Sequence, residues 1–295
     1  MYIQDFIYHK PDSIHDASKI LEQSENGMPL AGGTDLLVEV KKGIRKFSDL
    51  VSLSEIPELK IIDADTQNIY IGAGLTHNGL VYSELIKNKI PALSEAASKI
   101  GSEQVRNTGT VGGNLCTGAS CADTAPILMA YDAQVELTSY QGKRTISLRK
   151  FIISHHKTDI KKNEIMTRII IPKQKKSSGA SFVKFGLREA SSISVASSAV
   201  MIEFVSGVCK NVSIVIGACA PTPVISENAN NLILGKTIDE LTGNTGLIES
   251  IVAIASNDTI PIDDIRGSAD YRRQLVKVLT KQALALAIER TKILN

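Results

Sequence analysis

Two glycine pairs constrain this chain more than any other feature: Leu30-Ala31-Gly32-Gly33-Thr34-Asp35-Leu36 and, about eighty residues later, Thr110-Val111-Gly112-Gly113-Asn114. Each pair lets the backbone adopt positive φ and removes Cβ atoms, so that successive N–H groups can converge on an anion such as a pyrophosphate. Hydroxyls at Thr34 and Thr110 add donors beside them. The competing reading of either pair alone is an ordinary tight turn, for which glycine is the default residue. Two pairs, each flanked by Thr and by an acid or an amide, favour a shared ligand.

The surrounding pattern places both pairs. Ile14, Ala17, Ile20 and Leu21 share one face of a helix over residues 13–23, with Ser13 and Asp16 supplying an N-terminal capping pattern. Residues 28–30 read as a brief strand entering Gly32-Gly33, after which Leu36, Leu37 and Val40 resume helical spacing. Short β-branched runs at 50–53, 59–62 and 69–71 read as strands, residues 78–86 and 91–99 as helices, and 101–124 as a Gly, Ser, Thr and Asn-rich loop. A hairpin at 133–147 turns around Gln141-Gly142, and a strand over 164–171 ends at Pro172. Residues 173–179, KQKKSSG, have linker composition. Beyond them come strands at 180–185, 195–204 and 212–217 and helices at 248–256 and 271–291, a separate α+β unit.

Other chemistries find little support. Lys plus Arg at 33 against Asp plus Glu at 31 gives a net charge of +2, without the footprint of a nucleic-acid or membrane-surface binder. The N-terminal segment, residues 1–10, lacks the pattern of a signal peptide, and no run approaches the roughly 18 apolar residues of a membrane span. Four cysteines, Cys116, Cys121, Cys209 and Cys219, have neither disulfide-scaffold nor metal-ligand spacing, so reduced thiols in a cytoplasm are expected. The histidines make no HExxH pattern, and neither a GxSxG elbow nor a GxxxxGK[ST] loop occurs. Gly72-Ala73-Gly74 begins like a dinucleotide fingerprint, but His77 stands where the third glycine belongs. Asp123 is open to two readings, an acceptor for ribityl or ribose hydroxyls or an N-cap of a helix over 125–130. Lys184, between Phe182 and Phe185, reads by default as an exposed strand lysine.

The two glycine segments, LAGGTDLL at 30–37 and GSEQVRNTGTVGGN at 101–114, together with GGNLCTGASCADTAPILMAYDAQVEL at 112–137, FVKFGLREASSISVAS from Phe182 and GACAPTP at 217–223, resemble the flavin subunits of the molybdenum hydroxylase family, most of all those of bacterial xanthine dehydrogenases. The resemblance implies an α+β fold: an FAD-binding domain of the vanillyl-alcohol-oxidase-like type over residues 1–175, in two subdomains (about 1–57 and 58–175), and a smaller C-terminal α+β domain over 180–295. It implies FAD as cofactor. Pro29, Leu30, Ala31, Gly32, Gly33, Thr34, Asp35 and Leu36, with Thr110, Val111, Gly112, Gly113 and Asn114, are then expected at the pyrophosphate and its neighbouring sugar. Asp123 is expected at a cofactor hydroxyl, Ile100 and Met166 as apolar contacts, and Lys184 as a lysine reaching toward the flavin.

By the same resemblance, electrons arrive from a molybdopterin-binding large subunit through two [2Fe-2S] clusters of a small subunit and leave as hydride to NAD. Metal ligands, a catalytic acid–base pair, nucleic acid and membrane are not expected in this chain. An inserted four-cysteine cluster found in some of these subunits has no ligands here. The rival readings are the same role with nicotinate, another N-heterocycle, an aldehyde or carbon monoxide as the complex's substrate, or a non-catalytic flavin-binding assembly subunit.

Overall fold

The computed structural model of the chain describes residues 5–293; the first four residues of the N-terminal segment read above lie outside them. The first layer is a three-stranded parallel sheet in which Asp49–Ser52 lies between Ile7–His9 and Gly27–Leu30. Helix Ile14–Gln23 covers it, and its N-terminus is closed as the sequence implies, the Asp16 N–H donating to Ser13 Oγ at 3.1 Å. Ala17 and Leu21 bury against Val51, Ile56 and Leu59. Parallel strands need crossovers, and the clefts beyond their carboxyl ends are where ligands gather in such sheets. Gly27–Leu30 ends there and hands the chain to residues 31–35 and the short helix Leu36–Lys41.

The second layer is a five-stranded antiparallel sheet in the order Ile62–Ala64, Asn68–Gly72, Ile165–Pro172, Gln134–Ser139, Gly142–Ser147. Ile169 pairs with Ile71 on one side and Val135 on the other, so the alternate residues Ile69, Ile71, Val135, Leu137, Ile169 and Ile171 line a single buried face. Helices Pro91–Ser98, Val111–Thr117 and Thr124–Ala130 contribute to the same core.

Three local expectations need correction here. Residues 59–61 are not a strand and Ile62 only begins one: Pro57 opens a 3-10 turn, Pro57–Lys60. Its backbone is gripped by the Gly72-Ala73-Gly74 segment, whose Gly72 and Gly74 N–H groups donate to Ile61 O and Leu59 O, each at 2.8 Å. A Cβ on Gly72 would lie 2.3 Å from Leu59 O, so this glycine serves packing, not a nucleotide. The helix expected over 78–86 is two, His77–Tyr82 and Glu84–Lys89, because Ser83 leaves helical geometry and caps the second. Residues 101–124 contain the helices Glu103–Thr108 and Val111–Thr117; their Gly, Asn and Thr content hid them.

The C-terminal third is a four-stranded antiparallel sheet, Ser178–Gly186, Ser194–Val205, Val208–Gly217 and Val224–Ile225, covered by helices Thr245–Asn257 and Ala269–Ile293. Gly179, expected in the linker, is instead a buried strand residue, and a Cβ there would lie 2.0 Å from Ala287 O of the long helix. The sheet is not self-contained. Ala196, Val200 and Ile202 face those helices, whereas Ala199 and Met201 on the same strand belong to the core of the five-stranded sheet. Two-sided burial leaves only Val205 of Ser194–Val205 exposed and anchors the C-terminal unit to the rest.

Candidate functional site

The strand Gly27–Leu30 is an edge strand, carrying Pro29 and Leu30, and the chain beyond it turns through Gly33 at φ +68°. Among the described residues, the backbone N–H groups of Ala31, Gly32, Gly33, Thr34, Asp35 and Leu36 meet no acceptor. These donors lie on residues that are half-buried, exposed Asp35 excepted, and a run of N–H groups without protein partners at a strand end and a helix start is free to receive an acceptor from outside the chain. Asp35 stands at the N-cap position of helix Leu36–Lys41 without capping it.

The second glycine segment is built differently. The N–H of Val111 donates to Leu75 O (3.0 Å), that of Gly112 to Ala73 O (2.8 Å) and that of Asn114 to Thr110 O (2.9 Å). Gly113 N–H donates to Thr110 Oγ1 (3.0 Å), which caps the helix Val111–Thr117. A Cβ on Gly112 would stand 2.6 Å from Ala73 Cβ. The expectation that this pair also turns its N–H groups toward an anion is therefore corrected: those donors are already occupied, and Gly112 is a close-packing residue. What the segment supplies is a wall for the first loop. A Cβ on Gly32 would lie 2.1 Å from Thr108 O and 2.8 Å from Gly109 Cα, so the two segments press backbone to backbone.

Both default readings of Asp123 and Lys184 fail. Asp123 makes no capping hydrogen bond to helix Thr124–Ala130. It is 6% exposed, and its carboxylate accepts from Lys184 Nζ at 2.6 Å and from Ser194 Oγ at 2.5 Å. The Lys184 side chain is only 9% exposed, and its ammonium also donates to Lys99 O (2.8 Å) and Ser192 O (3.1 Å), using all three of its protons. Burial pushes the Asp123 carboxyl above the ordinary carboxylate range, against the opposing pull of the Lys184 charge and hydrogen bond.

A continuous circuit of contacts links most of the expected residues. Gly32 touches Thr108 and Gly109; Asn114 Oδ1 accepts from Thr124 Oγ1 at 2.6 Å, next to Asp123. Asp123 holds Lys184, Lys184 holds Lys99 O, and the carbonyl of the following residue, Ile100, accepts from the Arg106 guanidinium at 3.0 Å. Met166 stands apart from this circuit, 4% exposed in the sheet core and paired with Leu137.

Residue-type reasoning passed over Arg106 and His77. Arg106 ties Ile100 to Asn78, donating to Asn78 Oδ1 at 3.2 Å. His77 is 3% exposed, its N–H donates to Gly109 O at 3.0 Å, and burial, reinforced by the Arg106 charge, lowers its pKa to about 4. The signal was present in the Thr76-His77 capping pattern, but a histidine outside any metal motif gave no reason to look. Among the described residues no group of three or more His, Cys, Asp or Glu side chains is placed to hold a metal ion, and no helix is long and apolar enough to cross a membrane.

Known proteins match this chain along nearly its whole length. Residues 4–174 match the family described as the FAD binding domain in molybdopterin dehydrogenase, and residues 181–287 the CO dehydrogenase flavoprotein C-terminal domain. The chain is 29% identical over 283 residues to the xanthine dehydrogenase FAD-binding subunit of Escherichia coli O157:H7, covering 95% of each. It is 31% identical over 288 residues to the carbon monoxide dehydrogenase medium chain of Afipia carboxidovorans, covering 97% of this chain and 98% of that one. Its structure resembles a chain of the Hydrogenophaga pseudoflava carbon monoxide dehydrogenase that lacks the Mo-pyranopterin moiety, with a TM-score of 0.93, 29% identity and coverage of 98% and 99%. The chain thus belongs to the FAD-binding medium subunits of the molybdenum hydroxylases.

Proposed function

We propose that the unpaired N–H groups of residues 31–36 receive the pyrophosphate of FAD, and that the 108–114 segment fixes their geometry from behind. The observation that carries this reading is the contrast in hydrogen bonding: six idle donors in the first segment, occupied ones in the second. The donors fit a dianionic diphosphate because they are uncharged and fixed by the strand end, so little reorganisation accompanies binding. Thr34 adds a hydroxyl to this wall. Asp123 serves a cofactor hydroxyl, Ile100 and Met166 give apolar support, and Lys184 lies toward the flavin; the Asp123–Lys184 pair, supported by Lys99 and Ser192, keeps both side chains ordered. Residues 1–175 form the cofactor-binding part, and residues 180–295 close it from the Lys184 side.

When bound, FAD supplies the redox chemistry, exchanging single electrons or a hydride. The chain's own residues bind, orient and shield it. We infer a role as the electron-transfer subunit of a complex with a molybdopterin-binding large subunit and a [2Fe-2S] small subunit, with NAD as acceptor and xanthine as the complex's substrate. The name of the Escherichia coli relative supports the xanthine reading; the similarly distant carbon monoxide dehydrogenase relative favours the same role with another substrate. The test is purification of the chain with its partners, chromatography of the released cofactor, and anaerobic mixing with NADH. Stoichiometric FAD that NADH bleaches is the expected result. Flavin reducible by dithionite but not by NADH would remove NAD from the account.

A further inference from the structure

Two buried side-chain nitrogens among the described residues have no partner, His77 Nδ1 and Arg272 Nε. Arg272 satisfies its other nitrogens on Val195 O and Asp264, whereas the His77 ring makes no hydrogen bond to any of the described residues. Its position is fixed by the backbone, through the Thr76 cap and the bond to Gly109 O. The ring edge lies at the seam between the two glycine segments: the point where a Cβ on Gly109 would stand is 3.3 Å from His77 Cδ2 and 3.4 Å from Thr34 Oγ1. Nε2 is bonded to Cδ2, so it is the nitrogen on the seam side.

The protonation state follows from the surroundings. Burial and the Arg106 charge hold the ring neutral down to a pKa of about 4, and a neutral imidazole carries one hydrogen. An N–H sealed without an acceptor is rarer and costlier than an idle lone pair. The sealed nitrogen, Nδ1, is therefore bare, and the hydrogen is on Nε2. A neutral donor on the seam side of the ring has the same character as the idle backbone N–H groups of residues 31–36.

We propose that His77 is a further cofactor-binding residue, its Nε2–H donating to a phosphate oxygen of the dinucleotide at the seam between Thr34 and Gly109. This rests on the cradle reading above. Arg106, held on Ile100 O and Asn78, adds a favourable field for an anion there without approaching it.

The test uses the full chain stripped of flavin and titrated with FAD, ADP and riboflavin. His77→Phe keeps a ring and removes both nitrogens; it is expected to weaken FAD and ADP by the same factor, about tenfold for one hydrogen bond to a charged acceptor, and to leave riboflavin unchanged. Nitrogen-15 NMR of the imidazole is expected to show a protonated Nε2 and bare Nδ1 in the wild type, with Nε2 shifting on ADP addition; this reading stands even if His77→Phe fails to fold. Unchanged FAD and ADP affinity in His77→Phe, while Gly33→Ala loses both, overturns the role of His77 alone. A Gly33→Ala chain that keeps both ligands overturns the cradle itself. A hydrogen on Nδ1, or an Nε2 signal indifferent to ADP, also overturns the proposal.

Discussion

Gly32-Gly33 and Gly112-Gly113 look alike in sequence and do opposite work. The first pair lies in a run of six N–H groups with no acceptor among the described residues; the second sits among N–H groups bonded to Ala73, Leu75 and Thr110. The difference comes from what precedes each pair. Gly32 follows the carboxyl end of an edge strand, where the backbone emerges against Thr108 and Gly109. Gly112 lies in the first turn of a helix, against the Gly72–Leu75 backbone, so its absent Cβ makes room for protein rather than ligand. A glycine pair thus reports close approach, and only the fate of its N–H groups tells whether the approaching group is a ligand.

Substitution separates the two pairs most sharply. In Gly112→Val the added atoms meet the Ala73 Cβ and carbonyl oxygen at 2.6 and 2.7 Å, and a loss of about 3 kcal/mol or more in denaturant unfolding is expected. Gly33→Ala meets only leucine side-chain ends and costs roughly 1–2 kcal/mol for its left-handed backbone. It should nevertheless lose most of its FAD affinity, as read by flavin fluorescence. If the two variants exchanged these phenotypes, the comparison would be inverted.

Lys184→Met leaves the Asp123 carboxylate buried with only Ser194 as partner, and a loss of about 3 kcal/mol at neutral pH is expected. Adding Asp123→Asn should recover much of it in urea melts; no recovery would show that Lys184 acts through something other than this pair.

His77 gives a smaller and pH-dependent effect. The unfolded chain binds a proton on it near pH 6.5, the folded chain only near pH 4, so between these values the unfolded state holds more protons and stability falls as pH falls. The full effect is roughly 3 kcal/mol at pH 4 and vanishes above pH 7. The difference between wild type and His77→Phe across this range should show that slope, and parallel pH profiles would contradict the neutral buried ring.

The mildest contrast is between two threonines. Thr110→Val removes a helix cap and should cost about 1 kcal/mol with little change in flavin affinity. Thr34→Val removes no hydrogen bond seen within the protein, so it should leave the melting temperature alone and weaken FAD. Equal effects of the two on FAD would erase the distinction drawn between the segments.

Much of this was legible in the residues. The Ser13 cap and the strand at residues 69–71 follow from local chemistry and appear where that chemistry puts them, and the hairpin turn expected at Gln141-Gly142 falls one residue earlier, at Tyr140-Gln141, between the paired Ser139 and Gly142. Failures occurred where a tertiary partner decided. Residues 57–60 form a 3-10 turn because Gly72 and Gly74 hold their backbone, whereas the strand expected at 195–204 is present as Ser194–Val205 and only its burial in two cores escaped the sequence pattern. At the site, sequence pointed to Asp123 and Lys184 separately but not to each other, since 61 residues separate them. The roles of His77 and Arg106 were not legible for the same reason: they depend on burial and on neighbours brought in by the fold.

The central claim is tested most directly by amide hydrogen exchange, followed by mass spectrometry at peptide resolution, on the full chain with and without FAD. The account predicts that residues 31–36 exchange rapidly without FAD and become protected with it, whereas residues 111–114 are protected in both states. Protection gained at residues 111–114 and absent at residues 31–36 would contradict it.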